Sequence, residues 1–270
     1  MTAPLIRPMR EADVEAFGEI TATSYYEVDA RTYQRAWPDP VRRPPGRNGA
    51  WINRARAALA TDPGGCWVAE VDGEVVGGAV SRVRELMWIL ASFAVRPDLQ
   101  GRGIGTQLMA AAMHHGRGCL RGMFAASADP GAVRRYRLAG FDLHPQMLLA
   151  GVVDRSAIPV VDRVREGTAA DFDLLDSVDR RTRGAAHLSD HELLLAQFRL
   201  VDVDVARPRR VVGDDEAELG EQISVRHITA ANAWALAVGL AARMAIHQNG
   251  YLCLRQMSPP TPYLHHGSLL

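Results

Sequence analysis

Apolar and polar positions alternate along the first 150 residues in a way that predicts a definite order of elements. Val14, Phe17 and Ile20 recur at helical spacing, and Trp51 to Leu59 keep the same period. Cys66 to Val71 and Glu74 to Arg82 are β-rich runs separated by Asp72-Gly73, a pair suited to the left-handed backbone of a tight hairpin. Arg84 to Val95 predicts a third, more buried strand, because it is nearly all apolar from Met87 onward. Gly101 to His115 predicts a helix, and Leu120 to Ala125 another strand. Asp129-Pro130 offers an N-cap followed by a proline at the first helical position. The helix it opens is expected to end at Gly140, a left-handed C-cap, with Phe141 starting the next strand.

Parts of this order occur twice. Ile6 to Val14 and Val164 to Phe172 share a short β-like start, then Asp13 or Asp171 near a helix N-terminus, where a carboxylate suits the exposed amides and the helix dipole. Phe172, Leu175 and Val178 then repeat the helical spacing. At the other end, Leu138-Ala139-Gly140-Phe141 corresponds to Ala237-Val238-Gly239-Leu240, which sets Ala235 opposite Tyr136. The offset is 158 residues at the start (Ile6 to Val164) and 99 at the end (Gly140 to Gly239), so the second copy lacks 59 residues of middle. That middle is where the first copy keeps its hairpin, buried strand and glycine-rich loop. The expected organisation is one full unit at 1–155 and a truncated one at 156–270, with Ala206 to Glu221 as a polar surface linker.

Bulk properties narrow the function class. A chain of 270 residues with 47% apolar residues can bury a sizeable core in one or two domains. Basic and acidic residues balance at 31 each, which gives no electrostatic scaffold for nucleic acid. All the basic residues apart from histidine are arginine. Cys66, Cys119 and Cys253 lack CxxC spacing, so neither a disulfide framework nor a zinc site is expected. His114-His115 and His265-His266 are adjacent pairs that do not share a helix face, so metal binding is not expected there. The N-terminus lacks a signal-peptide pattern, and Met87 to Val95 is too short to span a bilayer. A cytoplasmic protein, monomeric or homodimeric, without nucleic-acid or membrane partners is expected.

The chemistry concentrates in Val95-Arg96-Pro97-Asp98-Leu99-Gln100-Gly101-Arg102-Gly103-Ile104-Gly105, between an apolar strand and a helix. A pyrophosphate needs several amide donors close together. Glycines let the backbone approach without Cβ interference, and a helix start supplies unpaired N–H groups and partial positive charge. Arg102 could add a charge-assisted contact. There is no Walker lysine, and Gln100-x-x-Gly103-x-Gly105 is not the dinucleotide fingerprint.

That string, with Val95-x-Pro97 before it, resembles the acetyl-CoA signature of the GCN5-related N-acetyltransferase (GNAT) superfamily. Tyr136-Arg137-Leu138-Ala139-Gly140-Phe141 is similar to the family's later Y-x-x-x-G-F element. The resemblance covers the first copy well and the second only at its ends, as in tandem members with a degenerate second domain. It implies an α/β (α+β) fold with a mixed, mostly antiparallel sheet flanked by helices, a truncated second half packed behind, and acetyl-CoA as co-substrate. It also implies a bulged strand whose backbone at Phe93, Ala94 and Val95 pairs with the pantetheine arm and polarises the acyl carbonyl. The pyrophosphate contacts would come from Gln100, Gly101, Arg102, Gly103, Ile104, Gly105 and Thr106. Tyr136 would be the general acid that protonates the departing thiolate. The activity implied is acetyl transfer to a small-molecule or peptide amine by direct attack, with a single active site.

The general base is not implied so clearly. Ile89-Leu90-Ala91-Ser92 carries no carboxylate where many relatives have one. Glu27 and Asp29 are candidates by location, as are the carboxylate of Leu270, a water chain, and an amine that arrives neutral. Arg31, Arg35, Arg42, Arg43 and Arg47 crowd the segment expected to cover the acceptor, either recognising an anionic acceptor or simply solvated. The missing carboxylate and the decayed second copy also suit a non-catalytic acyl-CoA sensor or interaction protein. The truncated copy is expected to cover sheet surface that a dimer partner would otherwise cover.

Overall fold

The computed structural model describes residues 3–33, 39–152, 154, 156, 165, 167–196, 199–201, 211–213 and 222–267. The first half runs β1 (Leu5–Pro8), α1 (Val14–Thr32), α2 (Pro45–Thr61), β2 (Cys66–Val71), β3 (Glu74–Arg84), β4 (Met87–Val95), α3 (Ile104–His115), β5 (Arg121–Ala126), α4 (Pro130–Leu138) and β6 (Asp142–Val152). Asp72 and Gly73 both take positive φ (51° and 84°) and close the β2–β3 hairpin as expected. β4 starts at Met87 rather than Arg84. Arg84 ends β3, paired across the turn with Met87, because its guanidinium is fixed to buried Asp190 and Asp62. α3 starts at Ile104 rather than Gly101, because Gly101 and Gly103 are left-handed (φ 76° and 83°). Asp129 caps α4, accepting the Ala132 N–H at 2.9 Å, and Gly140 (φ 90°) lies just past its end.

With two strands of the second half, β9 (Gln222–Thr229) and β10 (Ala245–Arg255), those of the first half form one eight-stranded sheet in the order β1-β2-β3-β4-β5-β10-β6-β9, antiparallel at every pair except β4 with β5. α1 and α2 cover one face through Phe17, Trp51, Val80 and Ala94. α3 covers the other through Val95, Leu99, Ile104 and Leu108.

The second half adds α5 (Phe172–Thr182), α6 (Asp190–Leu195), β7 (Arg199–Val201), β8 (Val211–Gly213), β9 (Gln222–Thr229), α7 (Ala233–Ala241) and β10 (Ala245–Arg255). Its start repeats the hydrogen bonding of the first half. Arg7 grips both oxygens of Asp13, which also accepts the Arg10 N–H at 2.7 Å. Arg165 grips both oxygens of Asp171, which accepts the Thr168 N–H at 2.9 Å. At the other end the correspondence differs from the sequence match. Phe141 donates to the Tyr136 carbonyl past left-handed Gly140, while Met244 donates to the Gly239 carbonyl past left-handed Arg243 (φ 62°). The structural partner of Gly140 is therefore Arg243, and that of Tyr136 is Gly239 rather than Ala235. The glycine used to align the sequences lies inside α7, one helical turn early, where an added Cβ would meet Leu149 Cδ1 at 2.3 Å.

β9-α7-β10 follows the same plan as β5-α4-β6, and the two units exchange their last strands. β10 pairs with β5, β6 pairs with β9, and β6 and β10 lie antiparallel side by side. The second half thus extends the same sheet across the boundary near residue 155, instead of packing behind it. A buried ionic cluster also joins the halves. Asp190 at the start of α6 binds Arg82 and Arg84 of β3, with Arg84 Nε at 2.8 Å. Arg84 also donates to Asp62 at 2.9 Å. Of the segment read as a linker, Val211–Gly213 is a strand paired with β7, and the remainder lies outside the described residues. Among the described residues no helix is long and apolar enough to cross a membrane.

Candidate active site

A cleft opens where two central strands part. β4 and β5 pair in parallel only over Met87–Ile89 and Arg121–Met123. Beyond Ile89, β4 carries a bulge: Ser81 and Val80 of β3 face Leu90 and Ser92, leaving Ala91 as the extra residue. Arg96 donates to Val76 of β3, so alternation directs the peptide groups of Phe93 and Val95 away from β3. Local hydrogen bonds agree. The Phe93 N–H points at the Tyr25 hydroxyl at 3.4 Å, and the Val95 carbonyl accepts from Ser24 Oγ and Gln100 Nε2 at 3.2 and 3.0 Å. Ala94, the third residue expected to serve the cofactor, directs its backbone to β3 and its side chain into the core beneath α1 and α2.

Below the cleft, Pro97–Leu99 form a single 3₁₀ turn and the chain then bends through the two left-handed glycines into α3. Thr106 and Gln107 donate to the Gly103 carbonyl, so the amides of Ile104 and Gly105 precede the first intrahelical bonds. Ile104 is buried in the core and offers only its amide. Gln100 folds back onto Val95, which ties the loop to the strand end. Arg102 is exposed, with one guanidinium nitrogen 3.3 Å from the Asp98 carbonyl.

Arg135 of α4 was not singled out by the sequence. Its guanidinium lies directly against the start of α3: a Cβ on Gly105 would meet Arg135 Cζ at 3.0 Å. It also lies 5.8 Å from the Phe93 ring centroid, and its Nε is buried without a hydrogen-bond partner. A cation held at the positive end of a helix is electrostatically unfavourable. An anion between the two would relieve both. The only sequence cue is the run Arg134-Arg135 just before Tyr136.

Tyr136 is buried on the same helix, edge-on to Phe124 (4.7 Å) and Phe93 (6.2 Å). Burial pushes its phenol well above the ordinary range. Tyr25 on α1 is exposed at its rim, and desolvation of its hydroxyl end, which accepts from the Phe93 N–H, raises its phenol too. Glu27 and Asp29 are exposed on α1. Desolvation raises the Asp29 carboxyl, partly offset by Arg226 of β9. No hydrogen bond among the described residues joins a carboxylate to β4 between Ile89 and Val95. Leu270 and Arg35 lie outside the described residues, as does the side chain of Arg47.

Residues 22–141 match the acetyltransferase (GNAT) family. This stretch contains the splayed strands, the glycine-rich loop and Tyr136. It is a GNAT domain. The chain is also similar to mycothiol acetyltransferase of Streptomyces coelicolor, 34% identical over 93 residues. That match covers 33% of this chain and 30% of the relative. In fold, a protein of Pyrococcus horikoshii assigned as an acetyltransferase superposes over 96% of this chain and 91% of its own, with a TM-score of 0.68 at 17% identity. This likeness extends past the GNAT domain into the second half.

A second polar cluster lies beyond the GNAT domain. Asp179, His187 and His191 bring possible metal-ligand atoms within 4.8 Å of one another, all buried. Their geometry is that of a hydrogen-bond network. The Arg183 guanidinium can only donate, so at 2.9 Å it makes His187 Nε2 an acceptor and leaves the proton on Nδ1, facing Asp179 at 2.5 Å. A metal on Nδ1 would force a proton onto Nε2, against that guanidinium. His265 is likewise engaged, 2.9 Å from the amide nitrogen of Gln146.

Proposed function

We propose that the chain is an N-acetyltransferase that moves an acetyl group from acetyl-CoA to an amine by direct attack. The observation that carries this reading is the parting of β4 from β5 beyond Ile89, which turns the Phe93 N–H away from β3 and leaves it without a partner on β5. Phe93 and Val95 would pair with the pantetheine arm, and residues Gly101 to Thr106 would receive the pyrophosphate, with Arg135 closing over it. The Phe93 amide is the donor placed to polarise the thioester carbonyl. The amine attacks the thioester carbon, and a tetrahedral oxyanion forms. Its collapse breaks the C–S bond. Tyr136 supplies a proton to the departing sulfur, the amine's proton passes to water, and water returns a proton to the Tyr136 phenolate, so the enzyme ends neutral as it began. On this reading 1–155 holds the active site, and 156–270 is a degenerate copy that contributes strands to the same sheet.

Calorimetric titration of the full chain with acetyl-CoA tests the reading; absence of binding at millimolar ligand would sink it. The lack, among the described residues, of a hydrogen-bonded carboxylate beside β4 favours one alternative, an acyl-CoA sensor. Acceptor-dependent release of free thiol across an amine panel separates the two, since a sensor binds the cofactor and releases none.

A further inference from the structure

Ser24 and Tyr25, consecutive on α1, reach the two backbone groups of β4 that β5 leaves open. Ser24 Oγ donates to the Val95 carbonyl at 3.2 Å, and Tyr25 Oη accepts from the Phe93 N–H at 3.4 Å. Tyr25 is 41% exposed, yet its hydroxyl end is dry enough for burial to raise the phenol. The side chain thus runs from the rim of the cleft down to its amide.

Donors surround that hydroxyl. Trp51 can only donate, and its Nε1 gives a hydrogen bond to Ser92 Oγ at 3.1 Å. Ser92 keeps its own proton to give, and its side chain acts on Tyr25 Oη together with the Phe93 N–H; both pull the phenol down against burial. Arg43, stacked 5.0 Å over Trp51, adds positive charge that acts on the same oxygen. A phenol oxygen that accepts from two donors still has its own O–H to place. No hydrogen bond among the described residues takes that proton. Tyr25 also acts on Tyr136, whose phenol it helps to raise. The oxygen and the sulfur of a thioester share one carbon, and the two phenols flank β4 at Phe93: Tyr25 Oη is 3.4 Å from its nitrogen, and the Tyr136 ring is 6.2 Å from its ring.

We infer that Tyr25 is a catalytic residue: with acetyl-CoA bound, its O–H and the Phe93 N–H donate to the same thioester oxygen. Two donor atoms 3.4 Å apart can each lie about 2.9 Å from a shared oxygen. When the acyl oxygen takes the N–H, Tyr25 loses that donor and turns its own proton to the newcomer. Negative charge grows on this oxygen as the amine attacks, so both bonds strengthen in the transition state. Tyr25 keeps its proton throughout, whereas Tyr136 gives its own to sulfur. Ser92, fixed by Trp51, is a positioning residue that holds the Tyr25 hydroxyl in place. This inference rests on the acetyltransfer reading and adds a donor to it.

Infrared difference spectra of the full chain with acetyl-CoA, isotope-labelled at the carbonyl carbon, read the contact without an acceptor. The carbonyl stretch should lie higher in Tyr25→Phe than in wild type, and should not move in Tyr136→Phe, which acts at sulfur. A fluorinated tyrosine in place of Tyr25, a more acidic donor, should lower the stretch below wild type. Acetyl-CoA affinity should stay within twofold in Tyr25→Phe. On any amine that the wild type acetylates, Tyr25→Phe should lower kcat by roughly 10²-fold. An equal stretch in wild type and Tyr25→Phe would overturn the inference, as would an unchanged kcat. Tighter acetyl-CoA binding by the Phe variant with no loss of rate would overturn it too, by showing a hydroxyl that only competes with the acyl oxygen. Failure to bind acetyl-CoA, or binding without turnover of any amine in a broad panel, would instead bring down the acetyltransfer reading beneath it.

Discussion

Two neighbouring residues on α4 divide the proposed work between the ends of the cofactor. Tyr136 is held neutral by burial, so its proton stays available wherever the thiolate has to leave. Because its folded pKa lies above the ordinary value, alkaline pH removes that proton later than it would from a free phenol. Tyr136→Phe is expected to lower kcat by about 10²-fold or more while changing acetyl-CoA affinity less than twofold. The wild-type rate should show no tyrosine-dependent fall below about pH 10; an earlier fall that vanishes in the Phe variant would remove the acid role. Arg135→Gln should act at the other end. Losing a charge-assisted contact of about 1.5–3 kcal/mol weakens acetyl-CoA binding by roughly 10-fold to 150-fold. Acetyl-pantetheine, which lacks the pyrophosphate, should bind both forms alike, and titration of each protein with both ligands checks this. Tyr136 was legible because a four-residue spacing to Gly140 is local. Arg135 was not, because it meets Gly105 only after β5 and α4 have folded back across the loop.

Local rules predicted most single elements and missed their joins. The Asp72-Gly73 hairpin, the Asp129 cap and the Gly140 terminus follow from backbone preferences of one or two residues, and each stands where the sequence placed it. The glycines of the loop differ in what they do. Gly103 is left-handed, so Gly103→Ala should cost about 1–2 kcal/mol through backbone strain and also weaken acetyl-CoA binding. Gly105 is helical, and its added Cβ would meet only the flexible end of Arg135. Gly105→Ala should therefore leave the melting temperature nearly unchanged while weakening the cofactor; thermal melts with and without acetyl-CoA separate these effects. The one-turn error in matching α4 to α7 has the same local origin. A glycine marks the left-handed position after α4, whereas Arg243 fills it after α7, and residue identity alone favoured the wrong partner.

At the scale of the whole molecule, sheet order is what the sequence concealed. Adjacency of β5 with β10 depends on contacts between residues more than a hundred positions apart, and no periodicity encodes it. The same is true of the clamp that joins the halves, where Asp190 answers Arg82 and Arg84. Asp190→Asn would leave two buried guanidiniums short of a counter-charge and should cost about 3–5 kcal/mol, read as a fall in the denaturant midpoint. A loss below 1 kcal/mol would show that the halves are held by strand pairing alone.

The exchange of last strands also orders events in time. β5 ends at Ala126, and the strand that completes its outer edge begins at Ala245, 119 residues later. At roughly 5–20 residues per second of synthesis, that interval is about 6–24 s. After its first ten residues the nascent chain carries both the glycine-rich loop and Tyr136, beside a strand edge that has no mate. Acetyl-CoA could meet a finished cleft only once β10 has emerged, so a ribosome stalled within α7 would display every residue of the cofactor signature and still hold an incomplete sheet.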